Sequence, residues 1–147
     1  MSRTRFSQLE DTAVVFRLVT VKPFIPEGAE FPVGEAFRPS NSDKAEAEKR
    51  KRAPLVSVWE HGVTSEEEAR AFRPGRETKI YYLRVGDVVA VDRHRISVLA
   101  DPLDDGRPGA EGHCGIEGLH RPKGEQKTQY RCLLDKIAGC CLQEPPT

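Results

Sequence analysis

"TKIYYLRVGDVVAVDRHRISVLA", residues 78–100, strings together three apolar runs, "TKIYYLRV", "DVVAV" and "ISVLA", separated only by "GD" and "DRHR". Valine, isoleucine and tyrosine suit a pleated, half-buried surface, and short polar breaks let one strand fold back on the last. The stretch therefore predicts successive antiparallel strands, with "DRHR" as a hairpin turn. Upstream, "AVVFRLVT" (residues 13–20) and "PLVSVWE" (residues 54–60) add two more strands. Pro54 stands at a strand start, where a missing N–H is tolerated. Downstream, "CGIEGL" (residues 114–119) fits a further strand weakened by glycine.

Two helical patterns complete the frame. In "TSEEEARAF" (residues 64–72), Thr64 is placed to cap a helix, with Glu67 reaching back and an acidic first turn suited to the helix dipole. In "EQKTQYRCLLDKIAGCCL" (residues 125–142), Tyr130, Leu133, Leu134, Ile137, Ala138 and Cys141 recur at helical spacing, which predicts a C-terminal amphipathic helix. The order implies an α+β fold: a single small domain over residues 1–147, mostly antiparallel sheet, with one short helix and the C-terminal one. Between these elements, "VKPFIPEGAEFPVGEAF" (residues 21–37) is broken by prolines and reads as an irregular loop anchored by Phe24, Phe31 and Phe37. The polar run "SNSDKAEAEKRKR" gives the expectation of a charged, mobile loop over residues 40–53, and residues 143–147 read as a tail.

Composition narrows the function. A chain of 147 residues accommodates one core, and 37% hydrophobic against 31% charged residues leaves no material for a large apolar cavity. Lys plus Arg and Asp plus Glu number 23 each, so no global field draws the chain to nucleic acid. Nucleic acid is not the expected partner, since the short basic run "KRKR" follows acidic residues, and a nucleic-acid-binding domain stands as a minor alternative. No run approaches the roughly 20 apolar residues of a membrane span, so no membrane association and a cytoplasmic location are expected. The four cysteines then read as reduced thiols rather than a disulfide framework. The glycine motifs of phosphate-binding loops, dinucleotide sites and serine-hydrolase elbows are missing, and no cofactor is expected.

Chemistry concentrates in "AEGHCGIEGLHRP" (residues 110–122). Zinc would want four thiolate or imidazole ligands, but no C-x2-C pair occurs, so no metal ligand is assigned and a zinc-stabilised domain is a minor alternative. His113 beside Cys114 suggests a thiol nucleophile, yet neighbours on a strand point to opposite faces. Arg17 interrupts an apolar strand and must surface at its edge or find an anionic partner. Its planar fork would suit a phosphate or carboxylate, with Phe37 and Ser40 of "FRPS" beside it.

The landmarks "VVFRLV", "EAFRPS", "LVSVW", "TSEEEARAF", "VLADPL" and "GHCGIEGL" together resemble a loose group of small uncharacterised bacterial proteins. Members share a first-strand arginine, an aromatic residue near a serine, an "SV" strand and a histidine after a proline-rich turn. These correspond here to Arg17, Phe37 and Ser40, Ser57 and Val58, and His113. The resemblance departs at the charged insertion of residues 44–52 and at Cys114. A second likeness, to ADP-ribosyltransferase-like folds, rests on Arg17, Ser57 and Glu117 in that order.

The binding candidates are thus Arg17, Phe37, Ser40, Ser57, His113 and Glu117. They suggest a small binding or accessory module working with a protein partner. The alternative is an enzyme acting on NAD or another phosphate-bearing ligand. That alternative requires Arg17 and His113 to share one cleft.

Overall fold

Strands β1 (Val14–Thr20), β2 (Leu55–Glu60), β3 (Thr78–Arg84), β4 (Ser97–Ala100) and β5 (His113–Glu117) form one sheet in the order β3-β1-β2-β5-β4. Every neighbouring pair is antiparallel. The computed structural model describes residues 4–146, so residues 1–3 of the expected domain and residue 147 of the expected tail lie outside the described residues. Within that range the α+β fold with an antiparallel sheet is as expected from the sequence.

Side-chain alternation divides the sheet into two faces. On the first, Val15, Val19, Val56, Val58, Tyr81, Leu83, Cys114 and Ile116 are buried together with Tyr130, Leu133, Leu134 and Ile137. Those four belong to the C-terminal helix, Lys127–Ala138, whose apolar stripe is the one read from its spacing. Each fully buried side chain of this kind contributes about 2 kcal/mol. On the second face, Phe16, Leu18, Trp59 and Tyr82 gather around Ala69 of a short helix, Glu66–Ala71.

The structure corrects four local expectations. The run "DVVAV" lies in a helix, Val85–Ala90, rather than in a strand. The reason is topological: β3 and β4 occupy opposite edges of the sheet, so the chain between them must cross it and cannot make a hairpin. Val85 and Val88 join the first core on the way, and "DRHR" links this helix to β4. Second, the stretch 40–53, expected as a charged loop, is helical over Asn41–Arg50. Ser40 and Asp43 close a reciprocal capping box, and only Ala47 of this helix is buried. Third, the helix Glu66–Ala71 is capped by Ser65 with Glu68 and not by Thr64 with Glu67. Thr64 is buried and gives its hydroxyl to the Gly109 carbonyl at 2.6 Å, which takes it out of capping. Fourth, of the three phenylalanine anchors only Phe37 is fully buried, whereas Phe31 is 43% exposed.

The helices are named in chain order: α1 (Val21–Phe24), α2 (Asn41–Arg50), α3 (Glu66–Ala71), α4 (Val85–Ala90) and α5 (Lys127–Ala138). Chain segments near the two ends line the sheet edges. The amides of Phe6 and Leu9 donate to the Ala100 and Val98 carbonyls of β4, and the Ala100 amide donates to the Ser7 carbonyl. On β3, Tyr82 and Leu142 exchange both backbone hydrogen bonds at 2.8 Å.

Among the described residues no disulfide joins any of the four cysteines, and their environments differ sharply. Burial, followed by the neighbouring Cys140, pushes the Cys141 thiol up to about 12, while Cys132 is exposed on the outer side of α5. Only the thiolate reacts with alkylating agents at an appreciable rate. The native protein is therefore expected to show one fast thiol toward iodoacetamide at pH 7.5, and the unfolded protein four. Peptide mapping that found Cys114 or Cys141 modified first would overturn that assignment.

Candidate functional site

The second face of the sheet carries a hydrogen-bonded relay. His113 opens β5 directly across from Trp59, and its ring stands edge-on to the indole with centroids 4.8 Å apart. Its Nδ1 lies 2.8 Å from the backbone carbonyl of Asp101. A carbonyl can only accept, so Nδ1 carries the proton and, in the neutral ring, the lone pair sits on Nε2. Nε2 in turn lies 3.1 Å from the Ser57 hydroxyl, which donates to it. The Asp101 amide donates back to the His113 carbonyl at 2.9 Å, so the two residues are tied in both directions.

The Asp101 carboxylate completes the relay. One oxygen is 3.4 Å from His113 Nδ1, and Arg50 Nη1 reaches both oxygens at 3.0 and 2.9 Å. Burial alone would raise this carboxyl, but the hydrogen bonds from His113 and Arg50 outweigh it and hold the group below its ordinary value. Helix α2 has a clear task here. Its almost wholly polar surface buries little, yet its last turn delivers Arg50 to Asp101.

Ser57 and His113 form the floor of a hollow of about 330 Å3 whose walls include Ala47, Arg50, Arg73 and Asp101. A second hollow, of about 320 Å3, adjoins it and is lined by Arg17, Arg38, Ser40, Arg73 and Arg76. Asp43 and Arg73 border both. Among the described residues, no hydrogen bond or ion pair engages the guanidinium of Arg73 or of Arg76, and both residues are exposed.

Arg17 links the two hollows from behind. Strands β1 and β2 pair only at Val15 with Glu60 and Phe16 with Trp59, and beyond that point the guanidinium takes the place of a backbone partner. Nη1 donates to the Ser57 carbonyl at 2.7 Å, while Nε and Nη2 donate to the Ala36 carbonyl at 2.9 and 2.7 Å. The guanidinium carbon also lies 5.5 Å from the centre of the Phe37 ring. Burial, reinforced by the positive charge of Arg73, lowers Arg17 to about 10, so it remains charged at neutral pH.

Arg17, Phe37, Ser57 and His113 are therefore contiguous, but Arg17 and His113 line adjoining hollows rather than one. Ser40 borders the second hollow and spends its hydroxyl on capping α2. Glu117 stands apart from both, held by Arg52 at 3.1 Å. Cys114 points away from His113 into the first core, as strand alternation requires. Among the described residues no group of His, Cys, Asp or Glu is arranged to hold a metal ion. No helix of the described residues is long and apolar enough to cross a membrane.

Three contributors were not among the sequence candidates: Asp101, Arg50 and Arg73. Asp101 had a local signal, an acid ending an apolar strand before proline in "VLADPL". Arg50 and Arg73 had none, because each is one arginine among many. No protein-family model, curated protein or solved structure matches the chain, so the meaning of this site rests on its geometry.

Proposed function

We propose that this protein is a small binding module that takes a phosphate-bearing molecule in the second hollow, with the Ser57–His113 floor next door to meet the rest of the ligand. The observation that carries this is the pair of guanidinium groups, Arg73 and Arg76, that no hydrogen bond or ion pair engages among the described residues, on the rim of a hollow also lined by Arg17 and Arg38. Four arginines there face only Asp43 and Glu35, in a chain whose overall charge is zero. Guanidinium forks match phosphate oxygens in pairs, and they retain that charge at any physiological pH. The N-terminus of α2 adds a modest favourable field at the same rim.

An NAD-directed transferase built on Arg17, Ser57 and Glu117 has less support. Glu117 lies outside both hollows, and three donors of Arg17 are committed to backbone carbonyls. A protein partner presenting a phosphorylated side chain would meet the same arginines.

Calorimetric titration with inorganic pyrophosphate and with ADP provides the test. Binding is expected in both cases, weakening as salt rises because the charges are exposed. The Arg73→Glu/Arg76→Glu double variant is expected to lose at least tenfold in affinity without a change in melting temperature. Absence of heat with either probe at millimolar concentration, or equal affinity in the variant, would overturn the proposal.

A further inference from the structure

We infer that Ser57 is a nucleophile for acyl transfer, with His113 as its general base and Asp101 as the group that orients the base. The inference is separate from phosphate binding, since it stands on the relay and the first hollow and needs no phosphate in the second. Three features distinguish the relay from a polar group merely satisfied in a core. First, the imidazole proton is committed to the Asp101 carbonyl at 2.8 Å, so the basic nitrogen faces the hydroxyl and not the backbone. Second, the Asp101 carboxylate lies 3.4 Å from the same Nδ1, placed to stabilise the imidazolium that forms when Nε2 takes a proton. Third, Ser57 and His113 border a hollow of about 330 Å3, large enough for a small ester to reach the hydroxyl.

The ring cannot easily turn away, because Trp59 stands edge-on against it and Asp101 grips the residue from both sides. The strand carrying Ser57 is pinned in turn by Arg17 on the Ser57 carbonyl. Arg73 borders the same hollow with no partner among the described residues, and it is the cation available to an oxyanion. The substrate class is a carboxylic ester. In the first step Oγ bonds to the acyl carbon as its proton passes to Nε2. The ester C–O bond then breaks, and the same proton leaves with the departing alcohol. Water next attacks the acyl-serine, giving its proton to Nε2, and Ser57 recovers that proton as the free acid departs.

A neutral alkyl fluorophosphonate tests this without any anionic group for the arginines to hold. Attack by Oγ forms an O–P bond, fluoride leaves and His113 takes the proton. Intact-mass and peptide analysis are expected to show a single adduct at Ser57, absent in Ser57→Ala. General-base catalysis is worth roughly 10²–10⁴-fold, so His113→Gln is expected to slow labelling at least 100-fold. Near-ultraviolet circular dichroism would check that this variant folds. If it does not, the pH profile of the wild-type rate serves instead, with labelling expected to fall as the imidazole is protonated. No adduct at Ser57, the same rate in folded His113→Gln, or a pH-independent rate would each overturn the inference. Both readings are scored on the wild-type protein, so a Ser57 adduct without pyrophosphate binding would sink the phosphate reading alone, and pyrophosphate binding without an adduct would sink this one alone.

Discussion

Replacing Asp101 by alanine is expected to lower the stability of the protein by about 3 kcal/mol at neutral pH, the low end of the cost of breaking a buried ion pair, because Arg50 is a quarter exposed. Asp101 is only 3% exposed and serves Arg50, Arg5 and His113 together, so its loss leaves charged groups unanswered around the relay. The carboxylate is held below its ordinary value of 3.8 in the folded state. A depressed carboxyl contributes its stability above the unfolded value and loses it as pH falls through the folded one. The gap between wild type and Asp101→Ala should therefore be full at pH 6–7 and shrink on acidification below about pH 4. Urea denaturation at several pH values measures it. A gap below about 1 kcal/mol at neutral pH would mean that the relay is not a structural support.

Arg17→Met is expected to cost about 3 kcal/mol, because it keeps the length of the side chain and removes every donor from the Ala36 and Ser57 carbonyls. Each carbonyl left without a partner in a partly buried place costs about 1–3 kcal/mol. Arg17→Lys should recover only part of the loss, since one ammonium lacks the fork that spans both carbonyls. A lysine variant as stable as wild type, by the same denaturation, would show that the spacing of the two carbonyls does not matter.

Much of the fold can be read from residue pattern, and its failures are instructive. The apolar runs of β1 and β2 and the helical spacing of α5 report burial, which sequence pattern encodes directly. The run "DVVAV" misled because valines also suit a helix that crosses a core, and only the placing of β3 and β4 on opposite edges decides between the two. Helix α2 was hidden for the opposite reason. A helix with only Ala47 buried carries no stripe, and its one signature is the cap formed by Ser40 and Asp43. The site shows the same limit: Arg17, Ser57 and His113 stand out as polar residues in apolar strands. Asp101 reaches His113 across a turn rich in proline and glycine that the sequence does show, but Arg50 comes to Asp101 from 51 residues away, which no local pattern announces.

The pairing of residues 6–9 with β4, and of Leu142 with β3, bears on how the chain tolerates trimming. An open strand edge is a template on which a second chain can add a strand, and folded proteins that leave one bare are prone to fibrillar self-association. Here the selvages of the sheet are finished by chain segments remote in sequence from the strands they border. A protease nick after Leu9 or before Leu142 would take one partly buried leucine from the margin of a core and bare one side of the sheet. The first symptom of such damage would then be insolubility rather than unfolding.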